Sequence, residues 1–139
     1  MNELRWSDLS VGMSAHFDAA ITEEMLDTFA ALSGDVNPLH MDAAFAKAGG
    51  FRDRVAFGML SSAFYSTLVG VHLPGKWALL HGVDVEFKAP VYAGDRLRVS
   101  GEITFLNEAY RRIELKARMT NHSGQTVSKA TIQVGLRES

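Results

Sequence analysis

The C-terminal third of the chain alternates. In "RLRVSGEITFL" (96–106), Leu97, Val99, Gly101, Ile103 and Phe105 fall on one side of an extended backbone, and charged or polar residues occupy most of the other. "RRIELKARMT" (111–120) repeats the pattern through Ile113, Leu115, Ala117 and Met119, and "TVSKATIQVGL" (126–136) closes the chain as one more strand. A period of two marks strands with one face buried and one face wet. "WALLHGVDVEFKAPV" (77–91) predicts a further long strand, with Val83, Val85 and Phe87 alternating. "AGD" (93–95), "NEAY" and "NHSGQ" supply the turns between them.

Towards the N-terminus the spacing becomes helical. "HFDAAI" (16–21) predicts a short strand leading into a helix. Thr22 is placed to cap that helix, and Glu23 and Glu24 put negative charge in its first turn, where the dipole favours it. Met25, Phe29 and Leu32 give the helix one apolar face, and Gly34 ends it, leaving Asp35 in a loop. Pro38 is expected to keep the chain out of helix, and Asp42 to cap a short helix over 43–48. A longer helix is predicted over 57–71, "FGMLSSAFYSTLVGV". It is apolar nearly all round, so it should be buried on most sides. A meander of antiparallel strands needs an apolar layer on its inner face, and this helix is the element apolar enough to provide it. The expected architecture is a single α+β domain over 1–139, a curved sheet wrapped around one central helix, known as the hot-dog fold.

Composition narrows the function. The chain has 139 residues, 47% hydrophobic and 22% charged, as expected of an ordinary globular domain. A net charge of −2 argues against a dedicated nucleic-acid surface, which needs many cations. The absence of cysteine excludes disulfides, thiolate metal sites and a cysteine nucleophile. "MNELRWSDLS" is polar and unlike a signal peptide, and no apolar run approaches the roughly 18–20 residues of a membrane span. A cytoplasmic protein with no membrane partner is the expectation.

"SGDVNPLH" (33–40) concentrates the candidate chemistry: a carboxylate, a carboxamide and an imidazole within six residues. On the Asp35/His40 pair alone, the stronger reading is a helix-end turn carboxylate and a satisfied loop histidine. Asn37 reads first as an Asx turn before Pro38, and second as a group orienting a water or the histidine. A metal site at Asp35, His40 and Asp42 fits none of the usual ligand spacings.

The wider pattern changes that balance. "FAALSGDVNPLHMDAAFA", "FGML", "LPGK" and "VEFKAPVYAGDRL" resemble the MaoC-like acyl dehydratases and, more narrowly, the short (R)-specific enoyl-CoA hydratases. The G-D-x-N-P-x-H core at Gly34–His40 is the specific element, and "KxPVxxGD" (88–95) mainly supports the fold. The resemblance implies reversible addition of water across a trans-2-enoyl thioester to give the (R)-3-hydroxyacyl thioester. It implies coenzyme A or an acyl carrier protein as carrier, no metal or redox cofactor, and a homodimer. It departs at "RVAFG": Val55 stands where Pro is usual and Phe57 where His is usual, while Gly58 is kept.

Hydration needs a base for water, a proton for the alpha carbon, and donors for the enolate-like oxygen that develops on the thioester. Asp35 and His40 suit the first two tasks. Gly58 suits the third, because a backbone N–H at a helix start is unpaired and glycine allows close approach. Ser66 aligns with a serine lining the family's site, and reads equally as a helix serine bonded to its own backbone. Met25, Met59 and Phe64 are expected in the core, some of them lining an acyl tunnel. Arg52, Arg54 and Lys88 are candidates for the phosphates of coenzyme A. His16, His72, His81 and His122 need no function. A hot-dog thioesterase and a non-catalytic acyl-thioester binding module are the alternatives, the second left open by Phe57. One sheet around one helix leaves a strand edge unpaired, so two protomers are expected to join edge to edge as a homodimer or dimer of dimers.

Overall fold

The computed structural model describes residues 1–137. Strands β1 (Ser14–Ala20), β2 (Ala78–Phe87), β3 (Arg96–Asn107), β4 (Arg112–Thr120) and β5 (Thr126–Leu136) form one antiparallel sheet in the order β1-β3-β4-β5-β2. The expected meander therefore holds for β3, β4 and β5 and fails for β2. That strand pairs with β5 at the far edge, with Val83 opposite Ile132. The segment 88–95 carries the chain back across to β3. It is tied on the way by Ala56 N–H to the Val91 carbonyl (2.7 Å) and by Ile21 N–H to the Asp95 carbonyl (2.9 Å).

Helix α1 (Glu23–Ser33) begins where the Thr22 hydroxyl accepts the Met25 N–H at 3.1 Å. It ends at Gly34, whose φ of 78° is the left-handed geometry that glycine adopts without penalty. Short helices α2 (Pro38–Met41) and α3 (Ala43–Ala48) follow. The long helix α4 (Gly58–Thr67) runs on as a π-helical turn, Leu68–His72. No helix among the described residues is long and apolar enough to cross a membrane.

The inward positions of β3, β4 and β5 pack on this helix. Leu97, Val99, Ile103, Ile113, Leu115, Met119, Ile132 and Val134 are fully buried with Tyr65, Leu68 and Val69. Burying each large aliphatic side chain contributes about 1.5–3 kcal/mol of transfer free energy. Gly101 is what lets the helix seat, since a Cβ there would lie 2.7 Å from Leu68 Cδ2.

Two expectations drawn from alternation are corrected. Phe105 faces solvent, because a bulge between Ile103 and Phe105 shifts the register and turns Leu106 onto the core instead. Val83 and Phe87 are also exposed, because β2 is an edge strand and the sheet does not fold over it. The central helix is less enclosed than its sequence predicts: Met59, Ala63 and Ser66 form an open stripe along it. Met59, expected in the core, is 68% exposed.

Candidate active site

The segment between α1 and α4 is held largely by side chains that cap the backbone. The Asp35 carboxylate accepts the Asn37 N–H (3.1 Å), and the Asn37 side-chain oxygen accepts the Leu39 N–H (3.0 Å). Asp42 accepts the N–H groups of Ala44 (2.9 Å) and Phe45 (3.2 Å). Pro38 does not keep the chain out of helix. It occupies the first position of α2, where its missing N–H costs nothing and its fixed φ suits the helix. His40 is therefore a helical residue capped from Asn37, and the structural role expected of Asn37 is the one observed.

His40 is tied down on three sides. Its Nδ1 lies 2.7 Å from the Val55 carbonyl oxygen. A carbonyl can only accept, so Nδ1 carries the proton and Nε2 of the neutral ring keeps its lone pair. The Phe57 ring covers one face of the imidazole, with centroids 4.1 Å apart. Phe57 is 2% exposed and packs on Phe29 behind it. The His40 backbone carbonyl accepts from Arg54 Nε at 2.7 Å.

A cleft of about 450 Å³ opens beside this histidine. His40, Gly58, Met59, Ser61, Phe87 and Lys88 are among its lining residues. Gly58 is the first residue of α4. The Leu60 and Ser61 N–H groups bond to the Phe57 carbonyl, whereas those of Gly58 and Met59 have no acceptor among the described residues. The positive end of the helix thus faces the cleft with free donors. A Cβ on Gly58 would lie 2.7 Å from the Phe87 ring, so the absent side chain makes room for that ring. A lone pair on an imidazole and free N–H donors at one cleft suit proton abstraction from water near a carbonyl.

The remaining predicted residues are placed apart. Asp35 and Asn37 are exposed on the α1–α2 turn and do not line the cleft, and Ser66 lies on the open stripe of α4. Of the three basic candidates, Lys88 lines the cleft and pairs with Glu86, and Arg52 stacks over Tyr92 beside Asp95. The Arg54 side chain is only 16% exposed and is committed to His40 and Asp27, so it does not offer the free cation expected of it.

Sequence reasoning missed two parts of this site. Val55 contributes a backbone carbonyl, which leaves no trace in residue identity. Phe87 reads in sequence as an ordinary strand residue, because its position over Gly58 depends on β2 reaching the far edge.

The sheet around one helix, with an imidazole and a helix N-terminus at one cleft, defines a hot-dog protein. The family model described as MaoC like domain matches residues 9–126, and the chain belongs to that family. It is 37% identical over 116 residues to the (R)-specific enoyl-CoA hydratase of Aeromonas caviae, covering 84% of this chain and 87% of the relative. It is 34% identical over 134 residues to the (R)-specific enoyl-CoA hydratase of Rhodospirillum rubrum, covering 95% and 92%. The solved structure of the (R)-hydratase PhaJ1 of Pseudomonas aeruginosa, unliganded, matches with a TM-score of 0.89 at 35% identity, covering 96% of this chain and 86% of that one.

Proposed function

We propose that this chain is an (R)-specific hydro-lyase that adds water to trans-2-enoyl thioesters and removes it from (R)-3-hydroxyacyl thioesters. The observation that carries the reading is the fixed imidazole: with Nδ1–H given to Val55, Nε2 of His40 keeps its lone pair, and His40 shares one cleft with Gly58, whose N–H is free among the described residues. His40 activates the water and shuttles its proton from the cleft, and Asp35, which lies outside that cleft, is assigned a share of this work by the resemblance of its motif. The hydroxyl adds to the beta carbon, and negative charge moves onto the thioester oxygen, to which the Gly58 N–H donates a hydrogen bond. The alpha carbon then takes the proton, so water is consumed without a cofactor. Met59 and Phe87 offer an apolar wall for the acyl group, and Lys88 offers a cation for the carrier.

The test follows loss of the conjugated enoyl-CoA by absorbance. Asp35→Asn and His40→Gln should each lower kcat by roughly 10²–10⁴, the range for removing a general acid or base. Full activity in both variants would sink the mechanism.

A second copy of the chain completes the proposed assembly. The β2 edge exposes Leu79, Leu80, Val83 and Phe87, and the open stripe of α4 exposes Met59 and Ala63. An unpaired edge beside an apolar stripe invites pairing, and two β2 strands would extend the sheet into the partner. Light scattering at micromolar concentration should give twice the chain mass; a monomer there would count against the interface.

A further inference from the structure

We propose that Arg54 is a positioning residue for His40, working through the segment 54–55 as a two-point clamp. The proposal rests on the reading of His40 as an acid/base group, and it is tested so that the two can fail separately.

The clamp reads both ends of one residue. Arg54 Nε donates to the His40 backbone carbonyl at 2.7 Å, and the next residue, Val55, accepts His40 Nδ1–H at 2.7 Å. The Val55 N–H closes the set by donating to the Leu39 carbonyl at 3.1 Å. Backbone and ring of His40 are therefore fixed from one short strand of chain. The guanidinium is itself anchored from α1, where Nη2 donates to Asp27 Oδ1 at 2.7 Å. A planar fork can serve a carbonyl and a carboxylate at once, which a lysine ammonium on its flexible stem cannot do with the same geometry. Arg54 does not line the cleft. Its effect must reach the reaction through the orientation of His40, and not through contact with substrate.

α2 gives a reason for such a clamp. It spans four residues, Pro38–Met41, and a helix of one turn has little cohesion of its own. Arg54, held to α1, fixes the carbonyl in that turn from outside. The Val55 carbonyl then selects the tautomer that leaves the Nε2 lone pair free.

Four variants decide the matter: Arg54→Met, Arg54→Lys, Asp27→Asn and His40→Gln. Arg54→Met keeps much of the aliphatic stem and is expected to lower kcat roughly 10–100-fold, the scale of a small misplacement of a catalytic group. KM should stay within about threefold of the parent, because no substrate contact is lost. Arg54→Lys should recover only part of that loss. Asp27→Asn is the safeguard against misfolding: Asp27 is 61% exposed, so its loss does not threaten the core, and kcat should fall about two- to fivefold. The second readout needs no activity. With ¹⁵N-histidine label, and His40→Gln used to assign the signals, the neutral His40 ring should be the Nδ1–H tautomer in the parent and shift towards Nε2–H in Arg54→Met. Unchanged tautomer and unchanged kcat in folded Arg54→Met would overturn the clamp. A loss confined to KM would also overturn it, by making Arg54 a substrate-binding group. Activity surviving in His40→Gln would instead remove the acid/base reading, while the tautomer shift would still judge the clamp.

Discussion

The segment from α1 to the start of α4 and the sheet-and-helix core are held together by different forces. In the core, strands β3 to β5 bury whole rows of aliphatic side chains against Tyr65, Leu68 and Val69. Between residues 34 and 56, α2 and α3 contribute one fully buried residue between them, Ala46. There the geometry comes from caps and single hydrogen bonds at Asp35, Asn37, Asp42, Arg54 and Val55. Area-driven burial is strong and tolerant of small shifts, whereas hydrogen bonds are weak singly and demanding in angle. Stability should therefore reside in one region and chemistry in the other, and variants can separate them.

The largest break falls on the core. Leu115 is fully buried on β4, and Leu115→Ala should cost about 2–5 kcal/mol, since the cavity adds to the lost transfer free energy. Denaturant unfolding would show it as a lower midpoint, while the folded fraction keeps its parent kcat. Equal losses of stability and kcat would show the two regions to be coupled.

Gly58 sits where the regions meet, so Gly58→Ala tests both at once. The new methyl must displace the Phe87 ring, the far end of a side chain that is 53% exposed, which makes the structural cost small. The methyl also intrudes on the approach to the Gly58 N–H, and kcat should fall about 10–100-fold, less than the roughly 10²–10³-fold for losing an oxyanion donor outright, because the N–H itself remains. A wild-type kcat would remove Gly58 from the proposed site.

A smaller effect lies within the capped segment. Asp42 holds the first N–H groups of α3, and Asp42→Ala should lower stability by about 1 kcal/mol, the usual worth of an N-cap. Asp42→Asn, which keeps an acceptor oxygen, should restore most of it. If alanine and asparagine behave alike, the cap is not what orders α3.

How far these features can be read from sequence follows the same divide. Thr22, Gly34 and Asp42 were legible as caps because capping is local: residue type and backbone position decide it. The sheet face was legible because burial alternates strictly along β4. Phe105 and Phe87 were misread, since a bulge and an edge position depend on which strand lies alongside. Pro38 was misread in the opposite sense. The residue that ends a running helix is also a preferred first residue of a new one, and Asn37 before it decides between them. At the cleft, the resemblance names His40 and Gly58, whereas Asp35 lies outside it, and the support of His40 comes from a backbone carbonyl and an arginine expected to meet phosphate.

The smallest expected effect is the pH dependence contributed by a polar pair inside the core, where the comparison is at its most exacting. Tyr65 is fully buried, and its hydroxyl lies 2.6 Å from Ser128 Oγ. Burial raises the phenol above its ordinary 10.0, and the Ser128 hydrogen bond pulls it back by less. A raised value means that the folded state holds the proton more tightly than the unfolded chain. Below pH 10 both states are protonated and Tyr65 adds no slope. Above it the unfolded chain loses the proton first, so stability falls as pH rises from about 10 towards the folded value. Tyr65→Phe should remove that part of the alkaline loss. It should also cost about 1–3 kcal/mol at neutral pH, because Ser128 is left buried without its partner. Adding Ser128→Ala removes the orphan and should return part of the cost. Urea unfolding at pH 8, 10 and 11 measures both terms. An unchanged alkaline slope in Tyr65→Phe would mean that the phenol is not the group titrating, and that this polar pair belongs with the tolerant packing around it.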